Sequence, residues 1–220
     1  MGVKNNVNKP TPNDGLSAAF TRLLNGTANH GGYFSVTEVS TDEAVITQKG
    51  GDWFDGGIWL NMHTHDFRST NPGLNGAWND TYGGITQCNI LLGTDLPAVS
   101  EAQVRMLRSY FYWRLLDLFG NVKIVTAQGV DVPQSNRAEV FAFVESELLD
   151  IIPELSEGRA EYGRVNKWAA YALLARLYLN AEVYTGTARY QDAVDAADMV
   201  INSGVYDLDA NYAAVFAPDN

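Results

Sequence analysis

The chain has 220 residues, a hydrophobic content of 46% and a formal net charge of −11 at pH 7. The hydrophobic content is typical of a globular protein, and the length suffices for one or two domains with a real core. Because phosphate backbones and anionic membrane surfaces are bound by clustered Lys and Arg, the acidic balance argues against both as partners, and no nucleic acid is expected.

A single cysteine, Cys88, excludes an internal disulfide and a metal site built from cysteines. Its expected role is that of a small buried side chain. No apolar run approaches the roughly 20 residues needed to cross a bilayer, and residues 1–13 are polar rather than charged and then apolar like a secretion signal. The chain is therefore not expected to span a membrane.

The first predicted helix covers residues 16–24, where apolar side chains recur at the i, i+3, i+4 spacing of one helix face and Gly26 closes the pattern. From Gly31 to about Gly76 the periodicity fades, and Gly, Asp, Asn, His and Trp crowd together. An irregular stretch of this length in a compact domain is usually functional. We therefore look for a site in this region.

Helical periodicity returns at Trp78 and predicts a helix to Leu92. A longer helix is predicted from Ser100, whose spacing to Gln103 fits a capping box, to a stop at Gly120. A loop of extended character then covers residues 122–132.

Three further helices are predicted after that loop. Asn136 and Glu139 form a second cap pair before an amphipathic helix that ends at Pro153, and helices follow over residues 166–181 and 190–203. These helices pair as residues 100–153 and 164–204, the helix-turn-helix unit that TPR-like arrays repeat, but the spacing is about 60 residues instead of about 34. A non-repeating helical bundle explains the same pattern equally well.

The motifs of phosphate-binding loops and nucleophile elbows do not occur, so neither a nucleotide site nor a catalytic triad is predicted. His63, His65 and Asp66 are of the residue types that bind metals, but no further ligand follows at a spacing typical of a metal site. Hydrogen bonds within the loop are the better interpretation of these residues. No cofactor is predicted. Calcium coordination by the oxygen-rich residues 52–55 is kept only as an alternative.

The residues of the irregular region suit two functions on carbohydrates, hydrolysis and binding. Glycoside hydrolysis needs a pair of carboxylates, and almost any acidic loop offers one. The acidic residues available for such a pair are Asp42, Glu43, Asp52, Asp55, Asp66 and Asp80. Sugar binding would instead use the flat faces of Trp53, Trp59 or Phe67, which could stack on a pyranose while polar neighbours bind its hydroxyl groups. The alternative is that these rings anchor the loop onto the helices.

Four stretches of the chain resemble, in order, the SusD/RagB family of Bacteroidetes nutrient-binding lipoproteins. Residues 41–65 are similar to the subset related to the starch-binding member, and residues 78–89 to a helix start of the family. Residues 101–122 resemble its hallmark segment of arginines and aromatics before Phe-Gly, although Lys123 stands where proline is expected. Residues 163–206 resemble its alanine-rich helix pair.

The resemblance implies an all-α fold of TPR-like helical hairpins in a SusD-like α-superhelical scaffold with a long irregular loop region. Residues 1–220 would be the amino-terminal SusD-like domain, with the carboxy-terminal half absent. Within it, residues 16–99 would hold the first helices and the ligand loop, and residues 100–220 the TPR-like helix pairs.

The resemblance further implies a cell-surface glycan-binding protein that is not an enzyme. It would assist uptake through a SusC-like TonB-dependent transporter on the extracellular face of the outer membrane, as a lipoprotein whose anchoring cysteine is absent from this chain. The alternatives are a TPR-type protein-interaction scaffold and, third, a glycoside hydrolase.

The predicted ligand-binding residues combine the aromatic and polar side chains of the loop with positions near those that the starch-binding member uses. Phe67 stands where the pattern of that member has Trp, and Lys49 and Asn71 fall near its basic residue and its hydrogen-bonding Asn. The full set is Lys49, Asp52, Trp53, Trp59, His65, Phe67 and Asn71.

Overall fold

The computed structural model describes residues 15–29, 31–52 and 54–217, and within them the chain folds into nine α-helices and one pair of very short strands. The helices are α1 (Ser17–Ala28), α2 (Tyr33–Val39), α3 (Ile58–His63), α4 (Pro72–Leu92), α5 (Ala98–Phe119), α6 (Arg137–Ile151), α7 (Lys167–Leu179), α8 (Ala181–Thr185) and α9 (Tyr190–Asn202). The strands β1 (Val122–Lys123) and β2 (Gln134–Ser135) pair antiparallel. This architecture confirms the all-α prediction.

Helix α5 lies at the centre of the main core. Twelve of its 22 residues are buried, and they occupy every face of the helix, which is typical of a helix inside a core rather than on its surface. Helices α4 and α6 pack on two sides of it, and α1 packs mainly on α4.

The two predicted helix pairs are both present. Helix α6 packs along α5, and α9 packs along α7, with the short helix α8 inserted between the members of the second pair. The hydroxyl of Tyr184 in α8 donates to Asp117 of α5 at 2.6 Å, which ties the second pair to the central helix.

The ends of the helices follow the sequence signals only in part. The capping box of α6 is confirmed, because Asn136 accepts from the Glu139 amide at 3.0 Å and Glu139 accepts from the Asn136 amide at 2.8 Å. The stop at Gly120 is also confirmed, and its φ of +74° explains the glycine. The cap at Ser100 is wrong, because α5 begins two residues earlier, at Ala98, and its N-terminus has no side-chain cap.

Two other helix boundaries were predicted wrongly. Helix α1 continues through Gly26 to Ala28, and the Thr27 hydroxyl donates to the carbonyl of Leu23 at 2.7 Å in its last turn. Helix α4 begins at Pro72 and not at Trp78, because proline suits the first position of a helix, where no amide donor is needed. The region from 31 to 76, predicted as irregular, therefore contains α2, α3 and the start of α4.

Cys88 has the predicted role of a small buried side chain. It lies in the main core on α4 and is fully buried. Burial raises the pKa of its thiol to about 12, so the group stays protonated and apolar at neutral pH.

Helices α4 and α5 approach each other closely at Gly84. A Cβ atom at this position would lie 2.5 Å from the ring of Phe111, a distance that real Cβ atoms do not show. The neighbouring Gly83 has room, since a Cβ there would meet only a nitrogen of Arg22 at 3.7 Å. The contact between α4 and α5 therefore depends on Gly84 and not on Gly83.

A charged cluster joins α4, α5 and α6. Arg108 donates to Glu147 at 2.7 Å and to Asn89 at 2.9 Å, and Arg105 donates to the same carboxylate at 2.7 Å. Burial alone would raise the pKa of Glu147, but the hydrogen bonds and charges of Arg108 and Arg105 outweigh it and hold this pKa below its ordinary value. Asp150 also pairs with Arg105, from a position that is 67% exposed.

Substitution of the two adjacent glycines should have opposite effects. Gly84→Ala forces the Phe111 ring to shift, and we expect it to lower the free energy of unfolding by about 1 to 3 kcal/mol. Gly83→Ala adds a methyl group that only reaches ordinary contact distance of Arg22, within a helix, and should raise stability by about 0.5 to 1 kcal/mol. Urea unfolding followed by circular dichroism measures both, and equal effects would contradict the close approach.

Removal of the Glu147 charge should be costly and should alter the pH dependence of stability. We expect Glu147→Gln to lower the free energy of unfolding at pH 7 by about 3 kcal/mol, and the exposed control Asp150→Asn by less than about 1 kcal/mol. Because the folded-state pKa of Glu147 is lowered, its stabilisation is complete above its ordinary pKa of 4.5 and is lost as the pH falls through the lowered value.

The measurement is urea unfolding of wild type and both variants from pH 7 down to pH 3. The stability of wild type should fall more steeply than that of Glu147→Gln below pH 4.5. Parallel curves for the two proteins would contradict the role of the cluster.

Candidate functional site

A second, smaller core lies apart from the main one and supports the region of the predicted ligand residues. Its buried members come from α2, α3 and α4, and the loop residue Ile46 packs against them. They are Val36, Val39, Trp59, Met62 and Ala77. All seven predicted ligand residues follow α2 in the chain and precede Pro72. Because this core holds α2, α3 and α4 together, it positions the segments between them.

Trp59 is part of that core. Its side chain is 2% exposed, and its indole N–H donates to the Asp55 carboxylate at 2.8 Å. Asp55 has a φ of +47°, and Gly56 and Gly57 also adopt left-handed conformations. A buried ring has no face to offer to a sugar, so the prediction of a stacking role for Trp59 is corrected: the ring anchors the loop, as the alternative interpretation held.

Asn71 is likewise occupied within the fold. It is 5% exposed, its side-chain oxygen accepts from the amides of Gly73 at 2.9 Å and Leu74 at 3.3 Å, and its amide nitrogen donates to the carbonyl of Ile58 at 3.1 Å. The side chain therefore caps α4 and ties it to α3. This corrects the prediction that Asn71 binds ligand, since all of these bonds are used by the scaffold.

His65 and Phe67 are two exposed aromatic side chains of the region. Their rings stack with centroids 5.5 Å apart and planes 20° apart, and Phe67 is 55% exposed. His65 has a φ of +58°, and its Nε2 lies 2.9 Å from the carbonyl oxygen of Ser40 at the end of α2. The imidazole covers one face of the Phe67 ring, and the two stacked rings are called here the aromatic platform.

Lys49 and Asp52 are brought together at the tip of the loop that precedes α3. The amide of Asp52 donates to the carbonyl of Lys49 at 3.3 Å, and both side chains are exposed. Trp53 lies outside the described residues. The predicted set thus divides into two exposed pairs, Lys49 with Asp52 and His65 with Phe67, and two buried side chains.

The metal alternative at residues 63–66 finds no support in the described part of the chain, where no three His, Cys, Asp or Glu residues are grouped to hold an ion. His65 faces the Ser40 carbonyl instead, and Asp66 pairs with Arg68. Across the same described residues, no helix combines the length and apolar character needed to cross a membrane.

The sequence did not indicate a groove that the structure forms between α1, α5 and α7. Its volume is about 840 Å³, and its lining is mostly apolar. Two guanidinium groups at the groove stack on aromatic rings, Arg164 over Phe20 at 4.7 Å and Arg176 over Trp113 at 4.8 Å. Its described lining includes no carboxylate or carboxamide side chain, so it offers few acceptors for sugar hydroxyls. Leu24 of α1 lines this groove, and its side chain is 64% exposed.

Comparison with known families gives one clear match. A SusD-like family model, described as "Starch-binding associating with outer membrane", matches residues 20–179, which is more than half of the chain.

Individual relatives agree with this match. The starch-binding protein SusD of Bacteroides thetaiotaomicron is 39% identical over 144 residues, which are 62% of this chain and 26% of that protein. The surface glycan-binding protein A of Bacteroides uniformis has a similar structure, with a TM-score of 0.75, 25% identity and coverage of 93% of this chain and 48% of that one. A structure described as containing a xylogluco-oligosaccharide has a TM-score of 0.70 at 25% identity, over 91% of this chain and 43% of that one.

Proposed function

Because the chain belongs to the SusD-like family, we propose that it captures glycans at its surface and performs no chemistry on them. The relatives named above are described as starch-binding and as surface glycan-binding proteins. The chain spans only about a quarter of the length of the first and about half of the second, so the activity of the whole protein is itself part of this proposal.

The observation that carries the proposal is the aromatic platform. A large apolar ring that is 55% exposed is costly to hydrate, and Phe67 combines this exposure with a stack on His65. The apolar CH face of a pyranose matches such a ring in size and shape. A supported, half-exposed ring on a connecting segment is therefore well suited to stack on a sugar.

The polar part of the site is proposed to come from Lys49 and Asp52. Both side chains are exposed, and an ammonium group and a carboxylate supply the donors and acceptors that pairs of sugar hydroxyls require. Trp53, next in sequence, stays a predicted second stacking residue. The buried Trp59 and Asn71 support the site through the second core and the cap of α4, and they are not proposed to contact the glycan.

We further propose that the chain acts on the extracellular face of the outer membrane, as part of a lipoprotein that works with a SusC-like TonB-dependent transporter. The support is the description of the family as associating with the outer membrane. The transporter, the lipid anchor and the outward orientation rest on family resemblance.

A second candidate function is a helical scaffold that binds protein. Helix α9 favours it, because Tyr190, Val194 and Ile201 lie along one stripe and are 54%, 51% and 70% exposed. The apolar groove between α1, α5 and α7 favours it as well.

Glycoside hydrolysis is not proposed. It would need two carboxylates about 5 to 9.5 Å apart across a bound sugar. Of the acidic residues in the loop region, Asp55 accepts the indole N–H of Trp59 and Asp66 pairs with Arg68, so both already have structural partners.

Truncation of the platform should weaken glycan binding selectively. The chain is titrated calorimetrically with soluble starch, a xylogluco-oligosaccharide, fructan and xylan. We expect saturable binding of at least one of them, weakened about tenfold by Phe67→Ala, which corresponds to about 1.4 kcal/mol. The matched control is Phe34→Ala, since Phe34 is 57% exposed and lies on α2, and its affinity should equal that of wild type.

Three outcomes would contradict this account. Titrations without binding across the panel would favour the scaffold function, and equal losses in Phe67→Ala and Phe34→Ala would remove the platform from the site. Release of reducing ends from a bound glycan would replace capture with hydrolysis.

A further inference from the structure

His65 connects the proposed site to the end of α2, which lies 25 residues earlier in the chain. Its ring contacts the end of α2 through Ser40 and covers one face of Phe67. We propose that His65 is a positioning residue: it fixes the orientation of the Phe67 ring and does not itself contact the glycan. The expected effect on glycan affinity rests on the proposed function. The contact between His65 and Phe67 can be tested without any glycan.

The backbone conformation of His65 is the first support. Among the described residues, Asp55 and His65 alone of the non-glycine residues have a positive φ, at +47° and +58°. Such conformations are unfavourable and persist where surrounding contacts hold them, and histidine tolerates them better than most residues. Asp55 uses its conformation to hold the Trp59 indole, and we infer that His65 uses its own to hold Phe67.

The hydrogen bond to Ser40 is the second support. A carbonyl oxygen only accepts, so Nε2 of His65 carries the proton and donates to Ser40 at 2.9 Å. This bond connects the segment between α3 and α4 to the end of α2. The Nε2 edge of the imidazole therefore bonds to the scaffold, and one face of the ring stacks on Phe67.

The ion pair that flanks Phe67 in the sequence is a weaker support than this arrangement. Asp66 and Arg68 form it, but their side chains are 45% and 64% exposed, and exposed ion pairs contribute little. The stack with His65 is the ring contact that this segment offers Phe67. With one face covered by imidazole, Phe67 presents the other to a ligand, which gives the order His65, Phe67, sugar ring.

Nuclear magnetic resonance of the histidine rings tests the contact directly. The chain has three histidines, His30, His63 and His65, so ¹⁵N,¹³C-histidine labelling gives three ring systems, and His65→Asn assigns one of them by its loss. We expect His65 as the Nε2–H tautomer, with ring-proton shifts displaced by Phe67 that return to ordinary values in Phe67→Ala. An Nδ1–H tautomer, or shifts that Phe67→Ala leaves unchanged, would overturn the stack.

Glycan titration of two variants tests the consequence. His65→Asn tolerates the left-handed backbone but removes the ring, and we expect it to weaken binding about three- to tenfold. His65→Phe restores a flat ring without the hydrogen bond and should recover affinity to within about threefold of wild type. Thermal unfolding of each variant checks that the fold is retained.

The outcomes separate positioning from direct contact. Wild-type affinity in His65→Asn would show that the stack is not needed. Equal losses in both folded variants, when nuclear Overhauser contacts show that the ring introduced by His65→Phe still stacks on Phe67, would show that the imidazole nitrogen contacts the sugar. Either result overturns the inference. If wild type binds no glycan while the ring signature is present, the proposed function fails and the positioning of Phe67 by His65 stands.

Discussion

The fold depends on a cation buried at the junction of three helices. Arg108 is 6% exposed and reaches Asn89 on α4, Glu147 on α6 and, at 3.4 Å, the carbonyl of Thr126 beyond β1. A buried charge is costly to leave without partners, and removing one partner costs about 3 to 5 kcal/mol. The cluster therefore favours the single arrangement of these helices in which every partner is met.

Helix α4 connects this cluster to the proposed glycan site. Asn89 lies near one end of the helix, and Asn71 caps the other, 18 residues and roughly 27 Å away at the usual rise of an α-helix. The segment that carries His65 and Phe67 enters α4 at that cap. The aromatic platform thus stands between two helix ends that are fixed by packing, and a site on such supports holds its geometry better than one on a free loop.

The sequence predicted the long helices well because their patterns extend over several turns. The apolar periodicity of α6, the capping box at Asn136 and the stop at Gly120 each depend on local chemistry. Helices α2 and α3 were missed because seven and six residues are too few to show a period. The roles of Trp59 and Asn71 were misjudged because the same side chains suit a ligand or a core, and burial is decided by tertiary packing.

The measurement that tests the central claim most directly is hydrogen exchange of the chain with and without the glycan that binds most tightly in the titration panel. The account predicts protection confined to the segments around Lys49 to Asp52 and His65 to Phe67, with α9 and the groove between α1, α5 and α7 unchanged. Protection at the groove residues 162–165, with none at the aromatic platform, would contradict it.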